Sequence, residues 1–457
     1  MAQTLPKSDH LQQMLHAPVL PLLFRMSTPS VLAFILQSVV SMAEVGFVSQ
    51  LGTTPLAAMA LLFPGLMLTQ MLSNGAIGGA VASSVARALG AGDKARADNL
   101  LWHAMAIALL AGIGFFLLYA LFGKTLISAS GVSAEVAHAA NEYGLILFAG
   151  SAIIWLMALL SSICRGTGDM KTPALVLVVG SLVQVPLSGA LILGWFNVPA
   201  MGLKGAVVAL LIVGVFSSLY LLLRILGNRT VLRPSLASAR LQYDLFADIF
   251  KVGALATLSP ILTVAIVFVS NSLVGSFSES ALAGYGIVSR VEFLLIPLVF
   301  GIGAALTALV GTNMGAGQRQ RAVRIARTGG YVSAILTGSV GLVLAVFPGL
   351  LLDWFSTDPL VLEAGSQYLH IVGPAFAFQG IGFALYFAAQ GGGNVALPVA
   401  GSILRFLIAA VIGYIGVRHL GFGLNYLFAC LSAAMIAYGL TTISSLRFGW
   451  GRLTLSS

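Results

Sequence analysis

The stretch ALGAGDKARAD, Ala88–Asp98, returns further along the chain as NMGAGQRQRAV, Asn313–Val323. Gly90, Ala91, Gly92, Arg96 and Ala97 match Gly315, Ala316, Gly317, Arg321 and Ala322, an offset of 225 (Gly90 to Gly315). CRGTGDMKTPA recurs as AQGGGNVALPV at the same offset, pairing Gly166 with Gly391, Gly168 with Gly393 and Pro173 with Pro398; Tyr143 and Tyr368 keep it too. TPLAAMAL from Thr54 and SALAGYGI from Ser280 align with one residue of slippage. A long offset shared by separated segments marks an internal duplication. These glycine loops are not phosphate cradles, because neither reads G-x-x-x-x-G-K-[ST] and neither joins a strand to a helix. Their glycines let helices end and the backbone turn tightly.

What is duplicated is strongly apolar. Of the 457 residues 58% are hydrophobic and only 8% are charged, against about 25% charged in soluble domains. Apolar runs of helix-spanning length recur throughout, without the short alternating segments of a β-barrel. The expected helices cover approximately 18–50, 55–84, 98–122, 135–164, 172–194, 203–226, 249–273, 281–311, 326–350, 361–389, 396–418 and 424–446. The fold class is therefore an all-α polytopic membrane protein with about twelve helices in two pseudo-symmetric six-helix lobes. Residues 1–226 form the first lobe, 227–248 a cytoplasmic linker and 249–457 the second lobe. An even number of helices per lobe inserts both in the same orientation, related by an axis along the membrane normal, with the site between or within the bundles.

The net charge of +9 follows the topology. Of the 23 Lys and Arg, Lys124, Lys204 and Arg418 fall on one side and Arg290 and Arg405 inside helices; the rest fall on the other side. The positive-inside rule puts that side, with both termini, in the cytoplasm. The basic excess is thus a topology signal, and no nucleic-acid partner is expected. The N-terminal MAQTLPKSDHLQQMLH carries no cleavable signal pattern. Cys164 and Cys430 are isolated in apolar or helix-end surroundings and read as small apolar residues. The six histidines are scattered without metal-ligand spacing, so no metal, cofactor or enzymatic activity is expected.

Glu44 stands out, because it is the only acid between Asp9 and Asp93 and lies inside a spanning run. An ionisable group at mid-membrane costs roughly 2.5–3.5 kcal/mol on insertion scales, which marks it as functional. Glu292 lies about eleven residues into the eighth helix, roughly 16 Å deep, with Arg290 two residues before it. Residues two apart do not face each other, so each needs a partner elsewhere or a wet cavity.

AEVGFVSQLGTTPLAAMAL, the GAGD and GAGQ loops with trailing basic residues, RGTGDMKTP and GLKGAVVA together resemble the multidrug and toxic compound extrusion (MATE) family over nearly the whole chain. The resemblance implies two lobes around a V-shaped cavity, a monomer, and antiport of small-molecule drugs or toxic organic cations against protons or sodium. It puts Glu44 where the family usually carries an aspartate and makes Gln37 and Pro29 family positions on the first helix. Pro29 is expected to bend that helix when the acid is protonated. Where many members have an Asn and an Asp in the fifth helix, this chain has Gln184 and Ser188, which disfavours a two-acid sodium site. The expected coupling set is Glu44 with Gln37, Asn74, Gln184 and Ser188, and Glu292 with Arg290 forms a second charge site. Phe34, Phe63, Trp155, Phe293, Phe376, Phe378 and Tyr386 are candidate cavity aromatics. The leading reading is a proton-coupled multidrug antiporter of the bacterial inner membrane, with a sodium-coupled antiporter as alternative. A lipid-linked precursor flippase is disfavoured because only Arg290 and Arg405 lie within helices.

Overall fold

The computed structural model describes residues 7–227, 230–235 and 239–448, with side chains outside 7–9, 293–294 and 447–448. Its regular elements are all helical, as expected where hydrocarbon forces every backbone group to bond within its own segment. A short helix, Lys7–His16, precedes the spans. The first six are α1 (Val19–Ser49), α2 (Thr53–Gly90), α3 (Lys94–Ala129), α4 (Ala134–Ala149 and Ser151–Gly166), α5 (Lys171–Leu193) and α6 (Leu203–Leu226). The second six are α7 (Tyr243–Gly275), α8 (Glu279–Gly315), α9 (Arg319–Val346), α10 (Pro359–Gly392), α11 (Ala396–Arg418) and α12 (Leu424–Leu446). Eleven are long and apolar enough to cross a membrane singly; α4 makes the twelfth across a 44° bend at Gly150.

Polar signals set the helix ends. Asp93 caps α3 by accepting from Arg96 N at 2.9 Å, Ser278 caps α8 by accepting from Ala281 N at 3.0 Å, and Asp358 caps α10 by accepting from Leu360 N at 2.9 Å. Gly92 and its repeat partner Gly317 turn the chain at φ +78° and +76°, and Gly168 and Gly393 do so at +85° and +79°. Side chains with a Cβ rarely adopt that left-handed region. The duplication is thus written in backbone angles as well as letters.

Several expected boundaries move outward, from 122 to Ala129 in α3, 84 to Gly90 in α2 and 249 to Tyr243 in α7. The ninth helix was expected from residue 326 but begins at Arg319, because its basic residues are good helix formers even though they are not apolar. It was expected to reach 350 but ends at Val346, ahead of Pro348, whose ring disfavours helix in the residue before it.

Packing centres on α8, whose most apolar window is 69% buried against 17% for α1. It lies against α1, α2 and α10. Where α2 and α8 meet at their basic ends, Gly90 presses on the Thr312 carbonyl and Gly315 on the Arg87 carbonyl. Those pairs exchange under the repeat offset (Arg87 to Thr312, Gly90 to Gly315), so the contact is reciprocal about an internal two-fold. Small residues let helix backbones approach this closely. Inside α2, Met71–Ala76 winds as a π-helix, and the Gly75 and Ala76 carbonyls accept from Gln390 Nε2 of α10 at 2.9 and 3.3 Å. Such bulges shift the helical bonding pattern. Ser83 Oγ in turn donates to the Gln390 carbonyl at 2.5 Å. Arg87 and Arg96 both reach Asp248 of α7, at 2.9 and 3.3 Å. The short N-terminal helix lies across the same end: Asn313 Nδ2 donates to the Met14 carbonyl at 3.1 Å, and Met14 is buried.

Candidate coupling site

Glu44 sits five residues before the last residue of α1, on a half-buried face. Two neutral donors from α5 converge on one of its oxygens: Gln184 Nε2 at 2.9 Å and Ser188 Oγ at 2.7 Å, both to Oε1. Gln184 and Ser188 are themselves buried, one helical turn apart on one face. The α1–α5 packing brings the three together, and Tyr143 of α4 lies within electrostatic reach of the carboxyl. Among the described residues no cation pairs with Glu44. Protonation would exchange an acceptor of two hydrogen bonds for a neutral donor. That makes the site sensitive to whether a proton or another cation occupies it.

The other expected members sit elsewhere. Gln37 is half-buried two turns down α1 and is not among the donors to Glu44. Asn74 is not part of the site: its Oδ1 accepts from Arg165 Nη2 at 3.4 Å. It lies twenty-one residues along α2 from Thr53, about 31 Å from that end, whereas Glu44 is close to the same end of α1. Pro29 lies inside α1, and the helix runs unbroken from Val19 to Ser49 around it.

Glu292 and Arg290 do not form a joint charge site. Two residues on one helix are about 200° apart, and the structure sends them opposite ways. Glu292 accepts from the Tyr368 hydroxyl of α10, and Gln379 and Arg405 act on it from α10 and α11. Arg405 is buried, with Phe383 and Tyr438 ring centres 5.7 and 5.8 Å from its guanidinium carbon. Arg290 is exposed, without an ion pair or hydrogen bond among the described residues. Tyr143 and Tyr368 are repeat partners, so each set of six helices places the same tyrosine beside an acid. The acids come from non-equivalent helices, which is why comparing the two halves letter by letter does not pair them.

The candidate aromatics divide. Trp155, Phe376 and Tyr386 are buried in helix packing, with Tyr386 OH donating to the Ala256 carbonyl at 3.1 Å. Phe63 is exposed, Phe34 and Phe378 are half-buried, and the Phe293 side chain lies outside the described residues. Cys164 and Cys430 are free and buried.

Comparison with known proteins agrees with this architecture. The MatE family model matches residues 29–189 and 256–415. The chain is 26% identical over 407 residues to "Probable multidrug resistance protein NorM" of Thermotoga maritima, covering 88% of this chain and 86% of that one. It is 29% identical over 378 residues to "FAD transporter" of Shewanella oneidensis, covering 80% and 81%. Among solved structures, "Crystal structure of MATE in the bent conformation" superposes with a TM-score of 0.89 at 23% identity, covering 97% of this chain and 98% of that one. With twelve spans arranged as in those structures and a family model matched across both repeats, the chain is a multi-pass membrane protein that belongs to the MatE family of multidrug and toxic compound extrusion transporters, and not an enzyme.

Proposed function

We propose that the protein is a proton-coupled antiporter exporting organic, mostly cationic, compounds. Glu44 carries the reading: a lone carboxylate held by two neutral donors, with no second acid in the set, suits a proton better than a sodium shell. The names of relatives such as the Thermotoga protein support a multidrug substrate range. A proton and a cationic substrate compete for the same negative charge. If α1 packs differently on α5 in the two protonation states, proton loading shifts the population between the two access states. Pro29 supplies the point at which α1 can bend, since its ring removes a backbone donor. Residues 1–226 and 249–457 act as two lobes of a monomer, and the basic side, with both termini, faces the cytoplasm of a bacterial inner membrane.

The test is transport of ethidium in liposomes under a pH gradient and, separately, a sodium gradient, for wild type and Glu44→Gln. Uptake driven by the pH gradient alone and lost in the variant is the expected result. Sodium-driven uptake without a pH response overturns the proton assignment, and undiminished coupled transport by the variant removes Glu44 from the mechanism.

A further inference from the structure

The basic end of α9 carries charges that nothing on the helix itself neutralises. Gln320, Val323, Arg324, Arg327, Thr328 and Tyr331 line a groove of about 360 Å³. Gln320, Arg324, Arg327 and Tyr331 recur at steps of four, three and four, the spacing of one helical stripe. Arg324, Arg327 and Tyr331 are exposed, and neither arginine has an ion pair or hydrogen bond among the described residues. Arg321 adds a third charge within electrostatic reach of Arg324, while its own guanidinium donates to the Ala17 carbonyl. No acid occurs between Glu292 and Asp353, so α9 brings no counter-charge of its own.

Depth places the groove at the headgroup layer. Twenty residues, about 30 Å of helix, counted back from Val346 at the far end of α9 reach Arg327. Arg324 and Arg327 therefore stand where hydrocarbon gives way to phosphate, with Tyr331 one turn inside. Further along the same stripe Ile335 and Leu342 are exposed. The order of charge, phenol and aliphatic chain matches a phospholipid read from phosphate through glycerol to acyl chain. The duplication supplies an internal control. At the repeat offset, Ile335 and Leu342 fall on Leu110 and Leu117 of α3, which are exposed too, but Arg324 and Arg327 fall on Asn99 and Trp102. The lipid-facing stripe is thus common to both lobes and the guanidinium pair belongs to the second alone, so the duplicated fold does not require it.

We propose that the groove on α9 is a binding site for an anionic phospholipid, its phosphate held by Arg324 and Arg327 and its chains lying along Ile335 and Leu342. Guanidinium forks suit phosphate oxygens, and Gln320, Thr328 and Tyr331 supply neutral donors around them. The proposal goes beyond the export reading and does not depend on it.

The test titrates phosphatidylglycerol or phosphatidylcholine onto delipidated full-length protein in detergent and counts bound lipid by native mass spectrometry. Wild type should hold phosphatidylglycerol about thirtyfold tighter, the span of two arginines at a membrane surface. In Arg324→Gln with Arg327→Gln that ratio should fall toward one. Lys171→Gln with Lys251→Gln removes the same charge from exposed positions outside the groove and should keep the ratio. Equal affinities in wild type overturn the proposal with no variant made. So does a ratio that survives the arginine double variant, or one lost equally in the lysine pair. Excess glycerol 3-phosphate should leave the lipid bound; displacement would assign the groove to a free phosphate and overturn the lipid assignment.

Discussion

At Glu44 a single oxygen receives both hydrogen bonds, and this makes the energetics non-additive. Gln184→Ala and Ser188→Ala should each slow pH-driven transport about tenfold, the scale of a hydrogen bond to a charged group. The double variant should lose clearly more than a hundredfold, because in each single variant the remaining donor partly covers for the missing one. Initial rates of all four proteins in one liposome preparation check this. Glu292 makes a different prediction. Removing its charge leaves the buried Arg405 without its neighbouring carboxylate, so Glu292→Leu should destabilise the protein by roughly 3 kcal/mol. Glu292→Leu with Arg405→Leu should recover much of that loss, read by thermal unfolding in detergent. A catalytic-style loss of transport without a stability change would contradict this placement.

At the scale of elements, the tightest constraint is the crossing of α2 on α8. Gly315→Leu puts a branched side chain against the Arg87 carbonyl, and overpacking of this kind costs typically 1–3 kcal/mol. The same change at Gly90 should cost a similar amount, since the contact is reciprocal, while at Gly114, with open space around it, it should cost little. Thermal unfolding of the three variants tests the symmetry directly. Pro29→Ala should stiffen α1 by returning a backbone donor to its ladder; if bending is part of the cycle, turnover drops while dye affinity holds.

Much at this scale was legible. Apolar runs located the twelve spans, and the repeated loops announced glycine turns at positions that later showed matching angles. What the letters hid is of two kinds. Helix that is polar, such as the start of α9, carries no hydropathy signal. Partners on separate helices, such as Glu292 with Tyr368 and Arg405, are far apart in sequence, and nothing in their local pattern pairs them. Gln184 and Ser188 join Glu44 in the letters only through the family pattern, whereas Asn74 lies about 31 Å along α2 from the end near Glu44.

For the whole molecule, closure of the basic end depends on links between the first and second six helices. Asp248 receives two arginines there. Neutralising it in Asp248→Asn should shift the resting population toward opening at that end, seen as longer distances between spin labels placed on either side. High ionic strength should move the wild type toward the same opening, since these pairs are partly exposed and therefore screened. Unchanged distances would assign closure to the glycine crossing and Gln390 instead.

The reciprocal glycine crossing also fixes the mechanical advantage of the machine. From Gly315 to Arg290 is twenty-five residues of α8, about 38 Å. A lever of that length resting on a fulcrum of bare backbone turns a rocking of about 5° into roughly 3 Å at the Arg290 level. The fulcrum itself would barely move, so its carbonyl contacts would survive such a stroke. A rocking of α8 on α2 would therefore carry the far end of the helix while the backbone packing at the crossing is kept.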